Sequence, residues 1–175
     1  VDIGGDKQLV QFDWQEWTGN SNKNLKHTLN QSNIQVEISA TEEINWLGNN
    51  SSMIGDLSFV ASDGIYIEKG ELTVKLSNLK TGKYAIETFH HARKTDIKLT
   101  NDISVTVEDI DGNFTRTSDD HVVNYYYNDS SGERQPISIK STFSTNGSGA
   151  VHLKFKNTNK KGSLWLNGFK LKQIK

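Results

Sequence analysis

Apolar and polar residues alternate along most of this chain with a period of two. Ile34, Val36 and Ile38 share one side of a segment whose other side is Gln35, Glu37 and Ser39. Leu72, Val74 and Leu76 oppose Thr73 and Lys75, and Ile103, Val105 and Val107 oppose Ser104, Thr106 and Glu108. Ile137, Ile139 and Phe143 repeat the pattern, as do Val151, Leu153 and Phe155. Successive side chains of a strand point to opposite faces, so each segment reads as a strand with one buried and one wetted side. Tyr84–His90 carries apolar residues on both sides, which suits a central strand covered on both faces. No stretch holds a helical period; Ser51–Leu57 has room for a single helical turn.

Glycine marks the joints. Asp63-Gly64, Lys69-Gly70, Thr81-Gly82, Asp111-Gly112, Ser131-Gly132, Asn146-Gly147 and Lys161-Gly162 punctuate the strand pattern. Short alternating strands between such turns predict an all-β fold, a two-sheet antiparallel β-sandwich. At 175 residues, with no linker, repeat or charge block, residues 1–175 read as one domain. Thr41–Phe59 is the longest stretch without clear strand periodicity and reads as a long loop, the kind of segment that carries binding residues.

Composition narrows the function classes. The net charge is −1, and the lysines from Lys154 to Lys175 alternate with apolar residues as on a solvated strand face. Neither nucleic acid nor a membrane is an expected partner. The absence of cysteine excludes disulfides, zinc–thiolate sites and thiol nucleophiles. The chain begins at Val1 rather than Met and is read as a mature or excised fragment. The Asn-x-Ser/Thr triplets at Asn30, Asn50 and Asn113 are attributed to the abundance of asparagine rather than to glycosylation.

Several segments in order resemble galactose-binding-like and malectin-like jelly rolls. Val1-Asp2-Ile3-Gly4 is followed by Val10–Trp17, then by the Gly64 turn and Leu72-Thr73-Val74. Leu76–Tyr84 matches an L-x-x-L-x-x-G-x-Y element, and Thr88-Phe89-His90-His91 matches an aromatic or histidine-bearing strand end. Ser163–Leu171, with its Leu-Asn-Gly-Phe core, resembles the closing strand of such domains. The resemblance implies a carbohydrate-binding module of the kind attached to extracellular polysaccharide-degrading enzymes of bacteria. It also implies a polysaccharide or oligosaccharide partner, a secreted or cell-surface location, linkage to catalytic domains in a larger chain, and a structural Ca²⁺.

The residues suit that expectation. Sugar rings present apolar C–H faces and hydroxyls, which proteins meet with aromatic platforms and planar polar side chains. Trp46, in the Asn-rich stretch, is the first candidate platform, with Trp17 and Trp165 next. Trp14 and Trp17, three apart, face opposite sides of any strand, and Trp14 is assigned to the core. Tyr125 and Tyr127 share one face of a Tyr-Tyr-Tyr run, and His90, His91 and Arg93 end a strand with hydrogen-bonding groups. Core packing is the competing role for every one of these aromatic and histidine side chains.

A metal site is not located. Asp119-Asp120-His121 with Asp129 offers adjacent carboxylates, while Asp109–Asn113 reads as a hairpin turn. Catalysis has thin support: Glu16, Glu37, Asp56, Asp63 and Glu87 are available carboxylates, but no spacing pairs them and no catalytic motif is present. The expectation is a non-catalytic module. A structural or adhesion spacer with a protein partner is the alternative, and a small polysaccharide lyase or glycosidase domain comes after it.

Overall fold

The computed structural model describes residues 1–6, 8–19, 22–30, 32–48, 57–91, 102–108, 114–116, 122–123, 137–157 and 163–175. It is a two-sheet β-sandwich. The smaller sheet has the order β11(Ile137–Thr145), β7(Gly82–His90), β14(Gly168–Ile174), β1(Asp2–Gly4), β2(Glu16–Thr18). The larger runs β10(Val122–Val123), β8(Asp102–Glu108), β12(Ala150–Asn157), β6(Glu71–Ser77), β4(Gln35–Leu47), β5(Gly64–Ile67), β13(Leu164–Leu166). β3(Asn22–Thr28) also pairs with β4, and β9(Phe114–Arg116) with β8. Every pair among the described residues is antiparallel except β1 with β2, which is parallel.

The period-two pattern places the core. Val36, Ile38, Leu72, Val74, Leu76, Val151, Leu153 and Phe155 from the larger sheet pack in one cluster with residues of the smaller sheet. These include Ile3, Trp17, Tyr84, Ile86, Ile139, Phe143 and Phe169. Tyr84 and Phe143, opposite each other across β7 and β11, stack at 5.6 Å. Each such fully buried aliphatic side chain contributes about 1.5–3 kcal/mol. β7 is central, and Thr88, Phe89 and His90 are all buried, as a strand covered on both faces requires.

Three departures from the sequence reading matter. Thr41–Leu47 is strand, not loop: β4 continues past its pairing with β6, and Asn45–Leu47 pairs with β5. The closing segment is two strands in two sheets, β13 against β5 and β14 against β7, broken at Asn167. A helical turn that the pattern did not announce, α1(Ser58–Ser62), precedes β5; of Ser51–Leu57, where a turn had room to form, residues 51–56 lie outside the described residues.

Candidate functional site

A parallel pair cannot be joined by a hairpin; the chain must cross over to re-enter in the same direction. Between β1 and β2 it does so through residues 5–15, and this crossover builds one wall of the site. Asp2 is fully buried on the face of β1 opposite Ile3. Its Oδ2 accepts the Gln11 backbone N–H at 2.7 Å. The Trp14 N–H donates to the Gln11 carbonyl at 3.0 Å, closing a turn in which Asp13 has φ 62°. Trp14 then lies over β14, its ring 5.4 Å from Phe89 in an edge arrangement. The Lys170 ammonium sits 5.1 Å from the indole centroid. Gly168 allows this approach, since a Cβ there would lie 3.0 Å from Trp14 Cζ3.

Beside Trp14 opens a cleft of about 890 Å³. Asp13, Trp14 and Gln15 form one wall, and Leu29, Asn30, Asn33 and Ile34 of the β3–β4 turn form another. Asn78 and Lys80, from the β6–β7 turn, close one end. Partly buried Leu171 supplies apolar surface, with the core side chains Phe169 and Tyr84 behind it and Lys170 and Gln173 alongside. Gln15 ties two walls together: its Nε2 donates to the Thr28 carbonyl at 2.9 Å and its Oε1 accepts the Asn30 N–H at 3.0 Å. Asn33 and Asn78 hold φ values of 54° and 61°, a conformation asparagine tolerates better than most side chains. Asn78 Nδ2 donates to the Asn33 carbonyl at 3.4 Å.

The cleft thus combines a half-buried indole with amides from three separate turns. Amides donate and accept, so they suit a ligand that does both. Asp13 is the only carboxylate among the described residues lining it, and two glycosidase carboxylates do not meet there. Among the described residues, the outer faces of β4, β6 and β12 offer no such platform. The residues on that side include Gln35, Glu37, Thr73, Lys75, His152 and Lys154, with Lys75 3.8 Å from Glu37.

The structure redistributes the residues selected from sequence. Trp165 is 1% exposed, so it packs in the interior and is not a platform. Its ring stacks on Tyr66 at 4.5 Å and its indole N–H donates to Ser163 Oγ at 2.8 Å. β13 is covered on both faces, so burying Leu164 and Leu166 does not turn Trp165 outward. Trp17 is core as well, at 5% exposure, stacked on His27 at 4.8 Å. Trp46 is half-buried on β4 against Gly19, apart from the cleft lining.

His90 is fully buried and cannot reach a ligand. Its Nδ1 lies 2.6 Å from the Trp165 carbonyl, which only accepts, so Nδ1 carries the proton. Nε2 then accepts the Thr88 hydroxyl at 2.9 Å. Burial pushes its pKa down to about 4, which keeps the ring neutral. His91 is buried too, its backbone N–H donating to Asn167 Oδ1 at 2.7 Å. Arg93, Tyr125, Tyr127, Asp109–Asn113, Asp119, Asp120, His121 and Asp129 lie outside the described residues. Trp14, Asn30, Asn33 and Asn78 were not selected. The visible signals were turn-type asparagines and an indole flanked by Asp13 and Gln15.

Calcium can be tested against the donors present. No group of three or more His, Asp or Glu gathers among the described residues. Yet Asp2 Oδ1, Gln8 Oε1 and Gln11 Oε1 are buried with no hydrogen-bond partner among the described residues. Gln8 Oε1 and the Asp63 carboxylate both crowd the space a Cβ on Gly4 would fill. All of these donors are oxygens, the set that a hard cation takes. Burial raises the Asp2 pKa to about 6, against lowering by the Gln11 N–H and the Val1 ammonium. These residues fit calcium by donor type.

No family model matches the chain, and no curated protein matches it. Among solved structures it is similar to the CBM22-1 xylan-binding domain of Paenibacillus barcinonensis Xyn10C. The identity is 12% and the TM-score 0.46, over 90% of this chain and 89% of that one. It is similar to TmCBM61, solved with β-1,4-galactotriose, at 11% identity and TM-score 0.47, over 79% and 88%. A family 35 carbohydrate-binding module from Clostridium thermocellum matches at 11% identity and TM-score 0.41, over 87% and 100%.

Proposed function

We propose that this domain binds a polysaccharide or oligosaccharide without catalysing a reaction, in the cleft beside Trp14. The observation that carries the reading is the meeting of one half-buried indole with the amides of Asn30, Asn33 and Asn78 beside the partly buried Leu29 and Leu171. A sugar C–H face stacks on the indole, and the amides exchange hydrogen bonds with its hydroxyls. The two lysines that line the cleft, Lys80 and Lys170, add hydrogen-bond donors. The proposal includes an extracellular setting, as a module linked to catalytic domains.

It also includes calcium on the oxygens of Asp2, Gln8 and Gln11, with Asp63 adjacent. When bound, the ion neutralises the buried Asp2 carboxylate. Asp2 in turn fixes Gln11 and hence the turn that presents Trp14.

Affinity gel electrophoresis on soluble xylan, β-1,4-galactan, arabinogalactan and polygalacturonate tests the binding. Retardation on at least one, lost in Trp14→Ala, is the expected result. Unchanged mobility of the native protein on every glycan tried would overturn the reading and favour the spacer. Calcium is tested by melting temperature in CaCl2 against EDTA, where equal values would remove it from the proposal.

A further inference from the structure

Phe12 is 81% exposed, and with Leu9 it is one of the large apolar side chains that the described residues leave in solvent. One exposed apolar residue is ordinary on a protein surface. Phe12 differs in how firmly it is presented. The turn that carries it is closed by the Trp14 N–H on the Gln11 carbonyl, at 3.0 Å. Asp13, the third residue of that turn, holds φ 62°. On the other side of Phe12, the Gln11 N–H is bound by the buried Asp2 carboxylate at 2.7 Å. The backbone is therefore anchored immediately before and after the exposed ring.

The next two residues, Asp13 and Trp14, both line the cleft, while Phe12 itself does not. Residues two apart have Cα atoms no more than about 7 Å apart, so the exposed Phe12 is carried on the same turn that brings Asp13 and Trp14 to the cleft. We infer that Phe12 is a second aromatic contact of the glycan site, engaging a sugar unit beyond the one on Trp14. The site then selects for chain length, taking an oligomer or polymer in preference to a single sugar. This inference rests on the carbohydrate reading above.

The experiment uses the glycan, among the four named, that most retards the native protein, together with its own oligosaccharides of one to six units. Isothermal titration compares the native chain, Phe12→Ala, Phe12→Trp and Trp14→Ala. Phe12→Ala is expected to weaken binding of the polymer and longest oligosaccharides about 5–10-fold, the scale of one aromatic contact. It should leave binding of the one- and two-unit sugars unchanged, and Phe12→Trp should restore the long-chain affinity. Trp14→Ala should weaken every length. Phe12→Ala binding the polymer as tightly as the native chain, with Trp14→Ala impaired, overturns the Phe12 inference alone. An equal loss on short and long ligands overturns it too, since Phe12 would then share the Trp14 subsite. A native protein that binds none of the glycans overturns both readings. An unchanged melting temperature for Phe12→Ala confirms that the comparison is between folded proteins.

Discussion

Replacing Asp2 by Asn should stabilise the metal-free domain near neutral pH and do little in acid. The Asp2 carboxyl is fully buried, and its pKa rises from the ordinary 3.8 to about 6. Between those values the folded chain holds a proton that the unfolded chain has released, so stability falls as pH rises from 3.8 through 6. Two carboxyl pKa values so separated give about 2 kcal/mol between pH 4 and pH 6.5. Asn keeps an oxygen for the Gln11 N–H and carries no charge to desolvate. His90 slopes the other way. Its pKa is lowered to about 4, so its contribution is present above 6.5 and is lost as pH falls toward 4. The native profile is therefore the sum of opposed slopes, and the difference between the two proteins reads Asp2 together with its coupling to the Val1 amine, whose pKa burial lowers to about 6. Urea unfolding in EDTA at both pH values measures it. The advantage of Asn should grow by about 2 kcal/mol from pH 4 to pH 6.5, or roughly 4–8 °C in melting temperature for a domain of this size. A difference that is flat with pH, or that shrinks, refutes the account of Asp2. With calcium present, the native chain should gain stability and the Asn variant should not.

Trp165→Ala empties a fully enclosed site stacked on Tyr66 and should cost about 3–5 kcal/mol in urea unfolding; a loss below about 1 kcal/mol would return Trp165 to the surface. Asn167→Ala strips the acceptor from the His91 N–H and the donor from the Asp63 carbonyl, and should cost about 2–4 kcal/mol by the same assay. Trp14→Ala should abolish retardation on the responsive glycan at a cost of no more than about 2 kcal/mol in stability, because the indole is only half-buried. A large stability loss with retained binding would reverse that assignment.

Alternation made the sandwich legible because most strands bury one side. β6 and β12 follow the pattern residue by residue, and Gly70 and Gly147 take the positive φ their turns require. The reading failed where a strand leaves that regime. Thr41–Glu43 is exposed as β4 runs on toward β5, so its charged residues resemble a loop. Leu164–Leu166 is buried on both faces, so alternation sent Trp165 the wrong way. Trp14 was illegible for a different reason. Its position follows from the parallel pairing of β1 with β2, a long-range fact with no local periodicity to announce it. The cleft is likewise assembled from three turns far apart in sequence, each ordinary by itself.

The place of β14 in the smaller sheet sets a timetable for making the protein. β14 lies between β7 and β1, with Asp2 opposite Gly168. Within this domain β1 is made long before β14, and its edge facing β14 waits for it. At about 5–20 residues per second, that interval is on the order of ten seconds or more. Until it ends, one edge of β1 and one edge of β7 have no partner, and Trp14 has no Gly168 to pack against. The cleft, whose lining includes Lys170 and Leu171, is thus among the last parts of this domain to form. A chain stalled short of its final dozen residues would display an open sheet edge, the surface most prone to pair with a neighbouring nascent chain.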